Sequence, residues 1–177
     1  MGDDSFRSVY SDILGKYNNR EGIVIDTRFN GGGRLHEDIE VLFSGKKYFT
    51  QVVRGREACD MPSRRWNKPS IMLTCEANYS NAHGTPWVYS HQKLGKLVGM
   101  PVPGTMTSVS WERLQDTSLV FGIPVIGYRL PDGNYLENTQ LEPDIKVAND
   151  PEAIVKGEDT QLKTAVEELL KEVDENK

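Results

Sequence analysis

The chain has 177 residues, 37% hydrophobic and 27% charged, with a net charge of −5. That is the composition of one globular domain able to bury a core. The acidic balance argues against a nucleic-acid partner, and no stretch is apolar over the length that a membrane-spanning helix needs.

The first residues, Phe6, Val9, Tyr10, Ile13 and Leu14, repeat at helical spacing and predict an amphipathic helix within residues 1–20. Its abrupt start predicts a piece of a longer protein. Residues 22–28 are a β-branched run of the kind that forms a strand buried on both faces. Three glycines, Gly31 to Gly33, break that run, and residues 35–43 resume with a helical period. Residues 47–53 alternate like a strand, and 54–68 read as loop. Its basic cluster, Arg54, Arg56, Arg64, Arg65 and Lys68 around Trp66, predicts a solvated or subunit-facing surface and not a phosphate site.

Residues 71–75 form a second buried strand, with Cys75 as a buried thiol. Cys59 and Cys75 have no metal or disulfide spacing, so they leave the redox compartment open. After Ser80, the positions Trp87, Val88, His91 and Leu94 give a helical pattern. A short strand follows at 96–100, then a Pro/Gly-broken segment at 101–105. Segments 118–121 and 124–130 read as strands, paired through the reversal Pro131-Asp132-Gly133-Asn134 before Tyr135. Residues 141–147 suit an edge strand that tolerates Pro143. A final helix, 160–173, carries Leu162, Val166, Leu169, Leu170 and Val173 on one stripe. Strands and helices interleave, which sets the class as α/β. One domain is expected over 1–177: a helix in 1–20, a core over 22–147 and a helical element over 151–177.

Three places carry candidate chemistry. Ser80 stands where a buried strand turns into a helix, which exposes its hydroxyl and leaves the following amide, Asn81, open at a helix N-terminus. An acyl-transfer nucleophile needs both. By itself, a serine in that place is usually just an ordinary N-cap. The glycines Gly31 and Gly32 allow positive φ and a close backbone approach, which suits oxyanion donors; no lysine and hydroxyl follow them as a phosphate loop requires. Glu137 ends a strand-like run and can orient a hydroxyl or a base. Asn78-Tyr79-Ser80 is formally a glycosylation sequon, read here as coincidence.

Taken together, these segments resemble the C-terminal catalytic core of tricorn-like serine proteases, in the carboxy-terminal processing protease group, peptidase family S41. The resemblance rests on Asp26-Thr27-Arg28-Phe29-Asn30-Gly31-Gly32-Gly33, on Ser80 before its helix, on Leu94-Gly95 through Gly99, and on Glu137-Asn138 with Pro143-Asp144-Ile145. It implies a crotonase/ClpP-like spiral of strand–helix units. It implies Ser80 as nucleophile, Asn81 with Gly31 and Gly32 as oxyanion amides, and Glu137 as support for the charge network. It also implies a peptide substrate, a homo-oligomer, and no cofactor or metal.

One part of the pattern is missing. Relatives with a serine–lysine dyad place the lysine where this chain has Thr105, and Lys93 and Lys96 come too early. Tricorn-like enzymes take a histidine from a Ser-His pair upstream of a PDZ domain, whereas Ser90-His91 lies within the nucleophile's own helix. His83 and His36 are accessory candidates. The resemblance therefore implies a base upstream of these residues and a chain inactive by itself. The alternative is a ligand- or peptide-binding module on the same fold. A crotonase-type acyl-CoA enzyme fits the Glu137–Asp144 ending less well. Localisation stays open between cytoplasm and periplasm.

Overall fold

A computed structural model describes residues 2–175. In chain order, the elements are α1 (Asp3–Leu14), β1 (Ile23–Asp26), α2 (His36–Phe43), β2 (Phe49–Val53), β3 (Arg56–Met61), β4 (Ser70–Thr74), α3 (Asn81–His91), β5 (Lys96–Gly99), β6 (Ser108–Arg113), β7 (Val120–Ile126), β8 (Ile145–Lys146), α4 (Pro151–Val155) and α5 (Thr160–Glu175).

The organising element is a four-stranded parallel sheet in the order β1-β4-β5-β8. Every residue of β4 is buried, as expected of a central parallel strand whose two faces are both covered. Alternation along β4 divides the core in two. Met72 points to the face packed by Ile13, Leu42, Phe43, Trp66, Tyr89 and Leu97, drawn largely from α1, α2 and α3. Ile71 and Leu73 point to the opposite face, against Val98 and the α5 residues Ala165 and Leu169. The result is three layers, helix on sheet on helix. Each fully buried aliphatic side chain adds about 1.5–3 kcal/mol. Trp66 is part of this core, and its Nε1–H donates to the Pro69 carbonyl, so the basic cluster around it presents no aromatic platform.

Five expectations need correction. The run 22–28 is not buried on both faces: its strand, β1, lies at the edge of the sheet, where Ile23 to Ile25 are half-buried and Asp26 is exposed. Residues 54–68 are not all loop: Arg54 and Gly55, both at positive φ, close the antiparallel β2–β3 hairpin. Such a two-residue turn matches the strand twist, and Arg54 hid the usual Asn-Gly signal. Segments 118–121 and 124–130 do not pair with each other, because 120–126 form one strand laid on β6. The Pro131–Asn134 reversal does exist, with Leu130 N–H donating to the Asn134 carbonyl. The edge strand over 141–147 shrinks to Ile145–Lys146 and a Val102–Leu141 bridge. On α5 the buried ridge is Gln161, Ala165, Leu169 and Val173, while Leu162, Val166 and Leu170 face outward. No helix among the described residues is long and apolar enough to cross a membrane.

Candidate active site

Ser80 is the residue immediately before α3, and its backbone is at φ 56°, ψ −123°. A non-glycine residue in that region costs of order 1–3 kcal/mol and persists only where its surroundings fix it. Those surroundings are specific. The Asn78 side chain is buried and accepts the Cys75 N–H at 3.3 Å, while its Nδ2 donates to Thr27 Oγ1 and to the Ala82 carbonyl, both at 3.1 Å. The Ala82 carbonyl is available because Pro86, four residues on, has no N–H to offer it. Tyr79 N–H donates to the Asn30 carbonyl at 3.0 Å, and Ser80 N–H to Thr105 Oγ1 at 3.2 Å. Each residue of the turn is thereby tied to a different element. The Asn78 amide is also fully engaged, so the acceptor residue of the formal sequon sits in the packed interior.

The glycine loop meets this turn directly. Gly32 has φ 99°, and a Cβ added there would lie 2.8 Å from Ser80 Cβ, 2.8 Å from the Tyr79 carbonyl oxygen and 3.0 Å from Asn81 N. Only glycine allows so close an approach. Gly31 is open, with no heavy atom within 4 Å of the equivalent position. Asn30 orders the loop: its Oδ1 accepts the Gly32 N–H at 2.9 Å. Asn81 opens the helix, and among the described residues its N–H has no hydrogen-bond acceptor. This is the first orphan donor of a helix N-terminus, where partial positive charge gathers.

His36, at the start of α2, accepts a 2.7 Å hydrogen bond at Nδ1 from the Asn81 side chain and lies edge-on to Tyr128. His83 is wholly buried, and neither ring nitrogen has a partner among the described residues. Burial lowers its pKa, while the nearby Glu137 carboxylate works in the opposite direction. Burial alone would raise the Glu137 pKa. The Thr107 N–H and hydroxyl, the Met106 N–H and the proximity of His83 outweigh it and keep the carboxylate ionised. The strongest of these contacts is Thr107 N–H to Glu137 Oε2, at 2.6 Å. Gly104 locks the two segments together, since its carbonyl accepts the Asn138 N–H and a side chain at 104 would strike the Thr139 backbone.

Of the residues expected at the site, Ser80, Asn81 and Gly32 converge, with His36 joined to Asn81 and His83 grouped with Glu137. Gly31 stands slightly apart. His91 lies elsewhere, stacked on Trp87. Asn30, Asn78 and Thr107 support the site. The first two were visible only as parts of other patterns, and Thr107 gave no signal.

Two motif pairs prove to be fasteners. Arg28 forms ion pairs with Asp26 at 2.7 Å and Asp159 at 2.8 Å, joining the end of β1 to the start of α5. That guanidinium holds the Asp159 carboxyl down at about 2. Asp144 Oδ2 accepts the Leu97 N–H at 2.7 Å and aligns β5.

The family model for peptidase family S41 matches residues 1–147. Over 176 residues the chain is 31% identical to the Tricorn-like protease C-terminal subunit of Sulfurisphaera tokodaii, covering 96% of this chain and 20% of that protein. It is 26% identical over 156 residues to the Tricorn protease of Thermoplasma acidophilum, covering 86% of this chain and 14% of that one. Among solved structures, the crystal structure of the tricorn protease superposes with a TM-score of 0.76 at 24% identity, over 87% of this chain and 15% of that chain. The chain thus spans a fifth or less of the length of these relatives.

Proposed function

The chain belongs to peptidase family S41, and on that premise we propose that it is a serine peptidase core acting through an acyl-enzyme at Ser80. The Ser80 hydroxyl attacks the carbonyl carbon of a peptide bond and gives its proton to a base. The oxyanion is held by the Asn81 N–H and by a backbone N–H from Gly31 or Gly32. Gly32 N–H now rests on Asn30 Oδ1, so acylation requires either that this bond be exchanged or that Gly31 donate instead. Collapse expels the amine with the proton, and water then hydrolyses the ester in the same two steps. No metal or cofactor enters this scheme.

The observation that carries the reading is the strained Ser80 backbone, pinned at a helix N-terminus against Gly32. Neither His83 nor His36 hydrogen-bonds to Ser80, so we take the base from outside these 177 residues, with Glu137 supporting its charge. The isolated chain is then inactive. The architecture is read as the crotonase/ClpP-like spiral, one domain deep, within a homo-oligomer that accepts peptides.

A fluorophosphonate probe tests this on two forms: the 177 residues alone, and the same residues joined to the preceding sequence of their gene. The longer form should be labelled at Ser80 and the shorter one hardly at all. Peptide turnover by a longer form whose Ser80 stays unlabelled would overturn the mechanism. One observation favours a second reading, a binding module with the same fold: Thr105 Oγ1, which cannot serve as a base, takes the place beside Ser80 N–H. Tight peptide binding without labelling in the longer form would establish it.

A further inference from the structure

The β6–β7 ribbon is the most exposed apolar surface of the described chain. It is a two-stranded sheet of its own, with the outer edge of each strand unpaired. Trp111 is 69% exposed, Phe121 58% and Val125 59%; Val120, Ile123 and Ile126 are exposed beside them, and two leucines stand at the tip. Two-stranded ribbons are marginal in water unless something covers them. Single exposed apolar residues need no explanation, but a contiguous set marks an interaction surface.

We propose that this ribbon is the contact through which a second copy of the chain docks. Three features choose that occupant. The first is area: eight half-exposed apolar side chains, at 150–250 Å² for an aromatic and less for an aliphatic, present roughly 700 Å². One side of a standard-sized interface buries about 800 Å². The second is symmetry, because a two-fold contact needs a patch that complements itself. The ribbon offers apolar residues on both faces and open edges on both strands. Phe121 lies across from Glu112 on one face, and Trp111 lies over Gly122 on the other. The third is charge. The strands β6 and β7 carry one acid and one base, the neighbours Glu112 and Arg113, and the tip adds only Asp116, so a second ribbon meets little like charge despite the −5 of the whole chain.

The ribbon also grows out of the site. Thr107, which holds Glu137, precedes β6, and the chain returns from β7 to Tyr128, which hydrogen-bonds to Ser108 and lies edge-on to His36. A second copy therefore buttresses the segment that positions Glu137. The inference rests on the assembly proposed above and is independent of the Ser80 chemistry.

Sedimentation velocity of the 177-residue chain between about 1 and 100 µM tests it. A concentration-dependent dimer is expected, and Trp111→Asp with Phe121→Asp should weaken it at least 100-fold. The far-UV circular dichroism and urea midpoint of the variant should match the parent, since both side chains are mostly in water. A chain that stays monomeric at 100 µM would overturn both the assembly and its surface. A dimer that survives both substitutions would overturn the surface alone and assign the ribbon to another occupant.

Discussion

Replacing Gly32 with alanine probes the site at its tightest point. The backbone at φ 99° lies in the region that L-residues avoid, at a cost of about 1–2 kcal/mol. The new methyl meets Ser80 Cβ and the Tyr79 carbonyl oxygen at 2.8 Å and Asn81 N at 3.0 Å. The Tyr79 and Asn81 atoms are backbone, and the turn that holds them is bonded to Asn30, Thr105, Thr27 and Ala82, so the strain has nowhere cheap to go. A loss of about 3 kcal/mol in stability is expected, with the turn displaced by several tenths of an ångström. Misplacing one oxyanion donor costs about 100- to 1,000-fold in rate. Urea denaturation and the rate of fluorophosphonate labelling in the longer form measure the two effects. Gly31→Ala is the control: its φ is not positive, nothing lies within 4 Å, and its stability should change by less than about 0.5 kcal/mol. Wild-type labelling of Gly32→Ala would refute the argument, as would an equal loss of stability in both variants.

His83→Leu removes two buried nitrogens that have no partners among the described residues, and should leave stability unchanged or raise it by about 1 kcal/mol in urea denaturation at pH 7. Because burial lowers the His83 pKa below 6.5, the unfolded chain takes up a proton that the folded chain refuses. Wild-type stability should therefore fall as pH drops through 6.5, and His83→Leu should flatten that slope between pH 7 and 5. Asp159→Asn tests the Arg28 clamp. A carboxylate held at about 2 against 3.8 contributes fully above pH 4 and loses its contribution as pH falls toward 2. Discounted for partial exposure, the variant should cost about 1–2 kcal/mol at pH 7, and the gap to wild type should close by pH 2. Asn78→Ala strands the Ala82 carbonyl and the Cys75 N–H in the interior, and should cost about 2–3 kcal/mol in the same denaturation assay.

The sheet was legible wherever burial dictated composition. A strand covered on both faces must be largely apolar, so β4 stood out; β1 stood out by its β-branched run although it lies half-buried at the sheet edge, and the helices beside them showed their period. The ribbons were less legible because both faces of each are exposed, so burial imposes little pattern; β2 showed its alternation, while β3 was read as loop, β6 drew no assignment, and 118–130 was divided between two strands. Ser80, Asn81 and Gly32 could be singled out as candidates from the strand–turn–helix order and the glycine loop, since an acyl-transfer reading calls for a hydroxyl and backbone donors at such a junction. The hydrogen bond from Ser80 N–H to Thr105 and the hold of Thr107 on Glu137 could not, because loops whose course no local pattern encodes bring those groups together. His83 shows the limit most plainly: the sequence offered it only as an accessory candidate, and the fold turns its ring into a dry neighbourhood of Glu137.

Pro86 deserves a second thought as a mechanical part. By helix propensity it is a defect, and an alanine there would suit the helix better. Yet an alanine would bring a rival N–H to the Ala82 carbonyl and weaken the bond that Asn78 Nδ2 makes to it. The proline thus welds the first turns of α3 to the bend that precedes them, so that Ser80 and the helix dipole behind it are carried as a single rigid body.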